Sequence, residues 1–412
     1  MKIFIQEYVS GGGLSQQTLL PDFLIEGFGM LRSLIENFSR LNFDIVTTLD
    51  YRIKFLENFL DASSVHTITE SDDISIKSLK LLSECDYFLV IAPSTEKIMS
   101  NLVSKYEKIT KSLNCNVDTI DFLVEKKNLN NLIAKNNFNY PKSYLYCENQ
   151  IIKLETGEIF LEADFEELIS RDKLNFPLIW KPNIGDACEN LSVIYTKEQL
   201  QFLLEQKSPK QFLLQEFIDG ENLSATIFVK DSNIQILSIN RQIIDLEFGK
   251  SKYSGGITNI NSSLKKEIES NVIKLLSKIN GLNGLIGVDF ILTKKNDKYK
   301  IYFIEINPRA TAPICGIFNK YMSPIDLTKY VKNRKIKNNK SCFFAKKEFS
   351  TSMKIPSQSY QKLKLNNSII TPPIEFQPNN FLLLFRGFGE SELLAEKDFK
   401  VKFQALLEKI NQ

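Results

Sequence analysis

The sequence contains little histidine and no clustered cysteine. His66 is the only histidine among 412 residues, and six scattered cysteines form no CxxC pair. A serine-hydrolase triad, a zinc peptidase centre and most haem or non-haem iron sites need histidine, so these reaction classes are excluded. Disulfide frameworks and cysteine zinc sites need clustered cysteines. We interpret His66, in the loop-like stretch DASSVHTITE, as a surface histidine. Carboxylates, lysines, arginines and backbone amides therefore remain to carry any chemistry.

Strong charge and long apolar runs are also missing. The formal net charge of +3 is nearly balanced and gives no indication of binding to nucleic acid or to a membrane surface. No apolar run approaches the roughly 20 residues of a membrane span. The start, MKIFIQEYVSGGG, lacks the apolar stretch of a signal peptide, so we expect a cytoplasmic protein. With 43% hydrophobic residues the composition is typical of a globular protein with several packed units.

Residues 1–118 alternate short apolar runs with helical patterns, which predicts an α/β domain with a parallel sheet. Its first strand candidate, Lys2–Ile5, is followed by a glycine-rich turn. A helical pattern then runs from about 119 to 145, and predicted strands dominate afterwards, so we expect mixed α+β lobes there. The patterns divide the chain into an α/β domain at 1–118, a lobe at 119–210, a second lobe at 211–330 and a C-terminal extension of unknown role at 331–412.

Two apolar strands near residue 300 carry polar side chains suited to a metal ion. Asp289 lies in IGVDFIL, and Glu305 and Asn307 lie in YFIEINPRA. Because side chains at i and i+2 of a strand face the same way, Glu305 and Asn307 share a face, which Asp289 meets if the strands form a hairpin. Two carboxylates and an amide oxygen make the incomplete oxygen shell that suits Mg²⁺, with Mn²⁺ as an alternative. Either strand alone would favour an ordinary half-exposed hairpin, but the two together favour a metal site.

Three basic residues are candidates to contact phosphate or carboxylate groups. Lys181 ends the apolar strand FPLIWKP and enters the small-residue loop NIGDACEN, which contains Gly185. An ammonium there suits ATP phosphates, and the loop amides can cover them as a lid, although an ordinary hairpin has the same pattern. Lys126 is a second lysine candidate that by itself looks like any solvated helix charge. Arg309 shares the face of Glu305 and is a candidate to hold a substrate carboxylate or to stabilise a transferring phosphoryl group.

The segment LLQEFIDGENLSA passes from a strand through a polar turn into another strand. Its backbone can present alternating donors and acceptors to an adenine edge, and either Glu221 or Asn222 can reach ribose hydroxyls beyond the turn. A plain hairpin with a glycine turn is an equally good interpretation of this segment in isolation. The candidate nucleotide-binding residues are Gln215, Glu216, Phe217, Ile218, Glu221 and Asn222.

These pieces occur in the order found in the ATP-grasp superfamily, which the sequence resembles over residues 1–330. The GluLys pair ending at Lys126 resembles the AspLys helix of that superfamily, which implies that Lys126 is the first ATP lysine and Lys181 the second. QEFIDG resembles the adenine hinge, and VDF with EINPR resembles the two-magnesium site with its arginine. The resemblance implies an α/β protein with α+β lobes. In this ATP-grasp fold, a Rossmann-like N-terminal domain precedes the ATP-binding lobes and a small C-terminal extension follows them.

Four shorter motifs, EYVSGGG, IAPST, NRQ and YSGG, are similar to those of the tyramine–glutamate ligase group, which makes a γ-glutamyl amide during methanofuran assembly. The glycine-rich loop follows the first strand, where open α/β sheets bind ligands, so its amides are candidates to bind a substrate, although a tight turn without a ligand is an equally good interpretation. Arg241 and Arg309 are candidates to orient an acyl phosphate or a carboxylate. After Arg309 the chain reads ATAPIC, where the group usually has a Thr-Thr-Ser run. The candidate substrate residues are Ser10, Gly11, Gly12, Gly255 and Gly256.

The resemblance implies an ATP-dependent carboxylate–amine ligase that forms an amide through an acyl phosphate while ATP becomes ADP and phosphate. We expect a small-molecule carboxylate and an amine as its partners and neither nucleic acid nor a membrane, and a homodimer is left open. A ligase resembling D-alanine–D-alanine ligase, acting on another amino acid or a peptide, is an alternative of the same class. A non-catalytic nucleotide-binding regulatory protein is the alternative of another class. Such a protein would be expected to have lost the metal acids or the lysines, and this sequence retains both.

Overall fold

The computed structural model describes the chain as three β-sheets with flanking helices. The described residues are 1–40, 42–161, 165–206, 210–295, 298–317, 340–351, 360, 363–364 and 366–410. The boundary predicted at residue 330 lies outside them, and the division into four units stays a prediction. Among the described residues, no helix is long and apolar enough to cross a membrane.

A parallel sheet with the strand order β3-β2-β1-β4-β5 forms the N-terminal part and confirms the predicted α/β arrangement. Ile3, Phe4 and Ile5 are fully buried, as expected for a parallel strand that is covered on both faces. The interpretation of DASSVHTITE as a loop is wrong, because His66 pairs with Thr48 in the edge strand β3. The strands are β1 (Lys2–Glu7), β2 (Asp44–Asp50), β3 (Ser64–Ile68), β4 (Tyr87–Ile91) and β5 (Lys111–Ser112), and the helices are α1 (Pro21–Arg40), α2 (Ile74–Leu82) and α3 (Ile98–Tyr106).

The helical stretch predicted after residue 118 is interrupted at Glu125, which is extended, with φ −88° and ψ 105°. A new helix therefore starts at Lys126. The Lys126 amide donates to the Asn183 carbonyl at 3.0 Å, and the Lys127 amide donates to the Asn183 side chain at 3.0 Å. These bonds fasten the start of this helix to the loop that follows Lys181. The two helices are α4 (Val117–Val124) and α5 (Lys126–Lys135).

A second sheet, with the strand order β10-β9-β11-β6-β7-β8, carries Lys181 on one of its strands. It has a hydrophobic core of its own, in which the rings of Trp180 and Phe212 stack with centroids 5.0 Å apart. Its strands are β6 (Ser143–Cys147), β7 (Gln150–Lys153), β8 (Ile159–Leu161), β9 (Leu178–Pro182), β10 (Ser192–Ile194) and β11 (Phe212–Glu216), and its helices are α6 (Phe165–Arg171) and α7 (Lys197–Glu205).

The third sheet has the strand order β16-β15-β12-β13-β14-β17-β19-β18, and every neighbouring pair in it is antiparallel. Its strands are β12 (Glu221–Lys230), β13 (Asn233–Asp245), β14 (Lys252–Thr258), β15 (Gly284–Lys295), β16 (Lys298–Asn307), β17 (Ser341–Ser350), β18 (Ile369–Gln377) and β19 (Asn380–Gly389). The helices of this part are α8 (Lys265–Leu276), α9 (Ile314–Ile317) and α10 (Glu392–Ile410).

The C-terminal segment adds strands β17, β18 and β19 to this third sheet instead of forming a sheet of its own. The join is made by β14 and β17, which pair through Gly255 and Ala345. The added strands also contact the N-terminal domain: the Thr371 hydroxyl donates to the Ile25 carbonyl of α1 at 2.7 Å. Helix α1 is thereby held beside β17 and β18, and this arrangement carries residues from both ends of the chain to the cavity described next.

Candidate active site

A cavity of about 260 Å³ lies between the second and third sheets and is lined by residues from both. The turn after β11, the strands β9, β15 and β16, the strand β14 and the helix α1 all contribute residues to its lining. The structure brings together twelve of the predicted residues in its lining: Lys126, Lys181, Gly185, Gln215, Glu216, Phe217, Ile218, Asn222, Asp289, Glu305, Asn307 and Arg309.

The predicted metal acids meet because β15 and β16 form the expected hairpin, with Asp289 directly opposite Glu305. Opposite residues of an antiparallel pair place their side chains on the same face. The Asp289 carboxylate accepts hydrogen bonds from Asn307 at 3.3 Å and from Gln242 at 3.1 Å. Burial, together with the negative charge of Glu305, raises the pKa of Asp289 to about 7. The pair is therefore a concentration of negative charge at the cavity wall that can accept a cation.

Two lysines face these acids. The Lys126 ammonium lies 3.1 Å from a Glu305 carboxylate oxygen and donates to the Gly185 carbonyl at 2.8 Å. Lys181 is buried on β9, and its burial and the nearby charge of Lys126 lower its pKa to about 8. Lys126 starts α5 at the break after α4, whereas Lys181 comes from the second sheet. The two ammonium groups therefore reach the acids from different elements.

Arg309 holds the small-residue loop against the metal acids through an aspartate that the sequence interpretation did not single out. The Arg309 guanidinium donates to the Asp186 carboxylate at 2.5 Å. The same carboxylate accepts from the Ser94 amide at 2.8 Å and from the Ser94 hydroxyl at 2.9 Å. Although burial alone would raise the pKa of Asp186, Arg309 and the Ser94 amide hold it below its usual value. The signals were in the sequence: Asp186 follows Gly185, and Ser94 lies within IAPST.

The turn after β11 borders the cavity with apolar side chains. Phe217 and Ile218 line it together with Ile179 and Ile291 from the two neighbouring sheets. The side-chain amide of Gln215 donates to the Ser143 hydroxyl at 2.7 Å, and this bond fixes β11, the strand that leads into the turn. A slot with apolar walls beside a strand end is suited to a flat aromatic ring.

Arg241 and Glu221 are not in the cavity lining, so the structure does not support the roles predicted for them. They pair with each other at 2.9 Å, and Arg241 also lies 3.4 Å from Glu392. Successive side chains of a strand alternate in direction, so it is Gln242, the next residue of β13, that reaches the cavity. Asn222, rather than Glu221, lines the cavity for the same reason.

The predicted substrate glycines do not line the cavity either. The Ser10 amide and hydroxyl both donate to the Glu7 carboxylate, at 2.7 and 2.6 Å, so they are engaged within their own turn. Gly12 has φ +96°, and a Cβ there would lie 2.4 Å from the Ile68 Cβ. The turn, Val9–Gly13, is therefore closely packed, and the substrate roles of Ser10, Gly11 and Gly12 stay predictions that the cavity lining does not support.

Gly255 and Gly256 allow the neighbouring strands β17 and β13 to lie close to β14. A Cβ on Gly255 would lie 2.2 Å from the Phe344 carbonyl oxygen, and one on Gly256 would lie 2.7 Å from the Arg241 carbonyl oxygen. Within the YSGG motif it is Tyr253 that lines the cavity. The two glycines therefore allow close sheet packing, and their substrate role stays a prediction that the cavity lining does not support. Glu26 of α1 also lines the cavity, and no motif in the sequence marked it.

Comparison with known proteins agrees with this geometry. A family model described as an ATP-grasp domain matches residues 124–313, which include the hairpin, both lysines and the turn after β11. A tyramine–L-glutamate ligase from Methanocaldococcus jannaschii is 32% identical over 319 residues, covering 76% of this chain and 84% of the relative.

Solved structures share the fold. An ATP-grasp superfamily protein from Archaeoglobus fulgidus aligns with a TM-score of 0.60 and 19% identity over 93% of this chain and 99% of its own. A carboxyaminoimidazole ribonucleotide synthase from Aspergillus clavatus, solved with ATP, aligns with a TM-score of 0.64 and 13% identity over 100% and 99%. The chain belongs to the ATP-grasp family, among its ATP-dependent carboxylate–amine ligases. The predicted fold class and the prediction of an enzyme are confirmed.

Proposed function

We propose that this ligase uses Mg-ATP to convert the side-chain carboxylate of an amino acid, with L-glutamate as the first candidate, into an acyl phosphate, and then joins it to an amine. Tyramine is the first amine to test, because the relative at 32% identity is named for tyramine and L-glutamate. Thr311, Ala312 and Pro313 line the cavity, and they belong to the stretch after Arg309 that departs from the usual run of that group. Another amine or a peptide is therefore included in the test below.

One observation carries the proposal: three cationic side chains line the same cavity as the two predicted metal acids. Lys126, Lys181 and Arg309 come from α5, β9 and the end of β16, and each of them lines the cavity beside Asp289 and Glu305. Phosphoryl transfer needs positioning and charge neutralisation more than covalent chemistry, and such a cluster supplies both.

The donor set fits Mg²⁺, with Mn²⁺ as an alternative. The set consists of the two carboxylates of Asp289 and Glu305 and the side-chain amide of Asn307. Among the described residues, no group of three or more His, Cys, Asp or Glu side chains is placed to hold a metal. An incomplete oxygen shell matches a cation that keeps waters and takes phosphate oxygens. The raised pKa of Asp289 indicates that a positive charge beside this pair would relieve repulsion. When bound, the ion would neutralise charge on the β- and γ-phosphates.

The chain's own residues then have the following roles. The turn at 215–218 holds the adenine, and Asn222 contacts the ribose. Lys126 and Lys181 hold the phosphates, while Arg309 orients the substrate carboxylate. An oxygen of that carboxylate attacks the γ-phosphorus and ADP leaves. The amine nitrogen then attacks the acyl carbon, phosphate leaves, and the nitrogen loses a proton as the amide forms.

A coupled assay tests the proposal: ADP release is measured with acids and amines in pairs, and the product mass is recorded. L-glutamate with tyramine is expected to release ADP and to give a product whose mass is the sum of the two minus water. Related amines, amino acids and short peptides in place of tyramine reveal the acceptor class. ADP release with no coupled product from any pair would overturn the proposal. A cytoplasmic location and the oligomeric state stay predictions from the sequence.

A further inference from the structure

A second cavity of about 220 Å³ adjoins the first at the end away from the turn at 215–218. The two cavities share Glu26 of α1, Tyr253 of β14 and Cys188 of the small-residue loop as common walls. Lys346 lines only the second cavity and comes from β17 in the C-terminal segment. The second cavity is therefore lined by α1, by β14 and the loop before it, by β17 and by the small-residue loop at 187–191.

A buried ion pair forms part of the lining of the second cavity. The Lys346 ammonium lies 2.8 Å from a Glu26 carboxylate oxygen and 3.0 Å from an Asp22 oxygen. The side chains of Lys346 and Glu26 are only 7% and 13% exposed. Although burial alone would lower it, Glu26 holds the pKa of Lys346 above its ordinary value, so the lysine stays charged. A buried ion pair contributes little to stability because both charges lose their hydration, so the fold alone gives no reason to place one at a cavity wall.

Tyr253 provides an independent sign that a ligand belongs here. Its side chain is 8% exposed, and among the described residues its hydroxyl has no hydrogen-bond partner. A buried hydroxyl without a partner is costly, so native proteins satisfy nearly all of them. Tyr253 lies where the two cavities meet, and a polar group bound there would satisfy its hydroxyl.

We propose that the second cavity, here called the head pocket (Glu26, Tyr253 and Lys346), binds the α-ammonium and α-carboxylate of the amino-acid substrate. The ammonium binds Glu26, and the α-carboxylate binds Lys346 and accepts from the Tyr253 hydroxyl. The side-chain carboxylate of the same molecule then extends through the shared wall to Arg309. This assignment rests on the proposed function, in which that carboxylate is the one activated.

A zwitterionic head fits this pocket better than a single charge. A lone cation at Glu26 would compete with Lys346 for the same carboxylate, and a lone anion at Lys346 would leave Glu26 without its partner. A ligand that carries both charges can insert between the two side chains and satisfy each. The C-terminal segment, for which the sequence indicated no role, would then complete the substrate site through Lys346.

Two substrate analogues, each lacking one of the two charged groups on the α-carbon, distinguish the contact with Glu26 from the contact with Lys346. Glutarate is glutamate without its α-ammonium, and 4-aminobutyrate is glutamate without its α-carboxylate. KM for each acid is measured by ADP release at saturating ATP and amine. We expect Glu26→Gln to raise KM for glutamate about 10- to 100-fold, as for loss of a charged hydrogen bond, and to leave KM for glutarate nearly unchanged. Lys346→Met is expected to raise KM for glutamate by a similar factor and to spare 4-aminobutyrate.

Control variants separate substrate binding from folding. Lys347→Met makes the same replacement one residue along β17, where the lysine points away and lies 5.9 Å from the centre of the Phe399 ring. It should leave KM for all three acids unchanged. If either single variant folds poorly, the double variant E26Q/K346M removes both charges together, and it should no longer prefer glutamate over glutarate. KM for ATP should stay the same throughout.

The outcomes distinguish the two proposals. If no amino acid supports ADP release by the wild-type protein, the proposed function fails, and the head pocket fails with it. If glutamate is a substrate but each variant affects glutamate, glutarate and 4-aminobutyrate equally, the head pocket is refuted and the proposed function stands.

Discussion

Two glutamates that follow apolar runs have opposite surroundings. Glu305 lies in the hairpin of β15 and β16, and Glu7 ends β1 just before the turn Val9–Gly13. Glu305 keeps 22% of its side chain exposed and meets Lys126 across the cavity. Glu7 is 3% exposed, and the amides of Val9 and Ser10 and the Ser10 hydroxyl already bind its carboxylate. The partly exposed carboxylate of Glu305 can contact a ligand. The enclosed carboxylate of Glu7 instead has a structural role.

The largest expected effect is on Glu305. Glu305→Gln removes a proposed metal ligand beside Asp289, and we expect ADP formation to fall by about 10³-fold or more. The thermal midpoint should change little because the side chain is partly exposed. Near wild-type ADP formation by this variant would show that the metal acids are misassigned.

Glu7→Gln is the matched change in the other region. It weakens a buried acceptor of three hydrogen bonds, so we expect a loss of about 1–3 kcal/mol in the free energy of unfolding. Burial raises the pKa of Glu7 even though these hydrogen bonds oppose the shift, which indicates how completely the carboxylate is enclosed. ADP formation per folded molecule should remain near the wild-type rate. A loss as large as that of Glu305→Gln would remove the distinction between the two glutamates.

Gly12→Ala tests the packing role of the glycine turn. Its φ is +96° and its new Cβ would lie 2.4 Å from the Ile68 Cβ, so we expect a loss of about 2–4 kcal/mol in the free energy of unfolding. Gly249→Ala is the control, because φ is +73° there but a Cβ would meet nothing within 4 Å. Gly249→Ala should lower the free energy of unfolding only by the cost of placing alanine at a positive φ, about 1–2 kcal/mol. Equal losses for both variants would contradict the packing explanation.

The pKa of Lys181, lowered to about 8, predicts a pH dependence of nucleotide binding. Lys181 loses its proton as the pH rises through 8, while a bound phosphate favours the protonated form. ATP affinity should therefore fall above pH 8, by up to about tenfold per pH unit. Lys181→Arg keeps its charge in this range, so its affinity should not show this fall. Titrations of both proteins between pH 7 and 9.5 check this, and parallel curves would argue against the assignment.

The smallest effect is expected for Arg241→Ala. Its ion pairs with Glu221 and Glu392 lie on the surface and outside the cavity, so we expect less than about 1 kcal/mol in unfolding free energy. ADP formation should not change. Gln242→Ala, one residue along β13, should lower it, because Gln242 donates to Asp289. The reverse order of effects would restore Arg241 as a site residue.

Much of the site could be predicted because its signals lie within single elements. Alternation along a strand places Glu305 and Asn307 together, and a short hairpin brings Asp289 to them. The choice between Arg241 and Gln242 could not be made in this way. The direction of β13 side chains depends on its pairing, and the register shifts between Thr226 and Ile227 in the neighbouring strand. The motif reaches the cavity through Gln242, and the role of Arg241 stays a prediction.

The sequence by itself determined the class of chemistry. The single histidine leaves carboxylates, lysines and arginines to carry the chemistry, and the resemblance of the motifs to those of the ATP-grasp superfamily implies metal- and phosphate-dependent ligation. Only the tertiary structure decided which distant residues complete the site. Arg309 meets Asp186, and Lys346 meets Glu26, across 123 and 320 residues of chain (309 − 186 and 346 − 26). Gly255 allows β17 to pair with β14, and no local pattern contains that contact, because it follows from how whole elements pack.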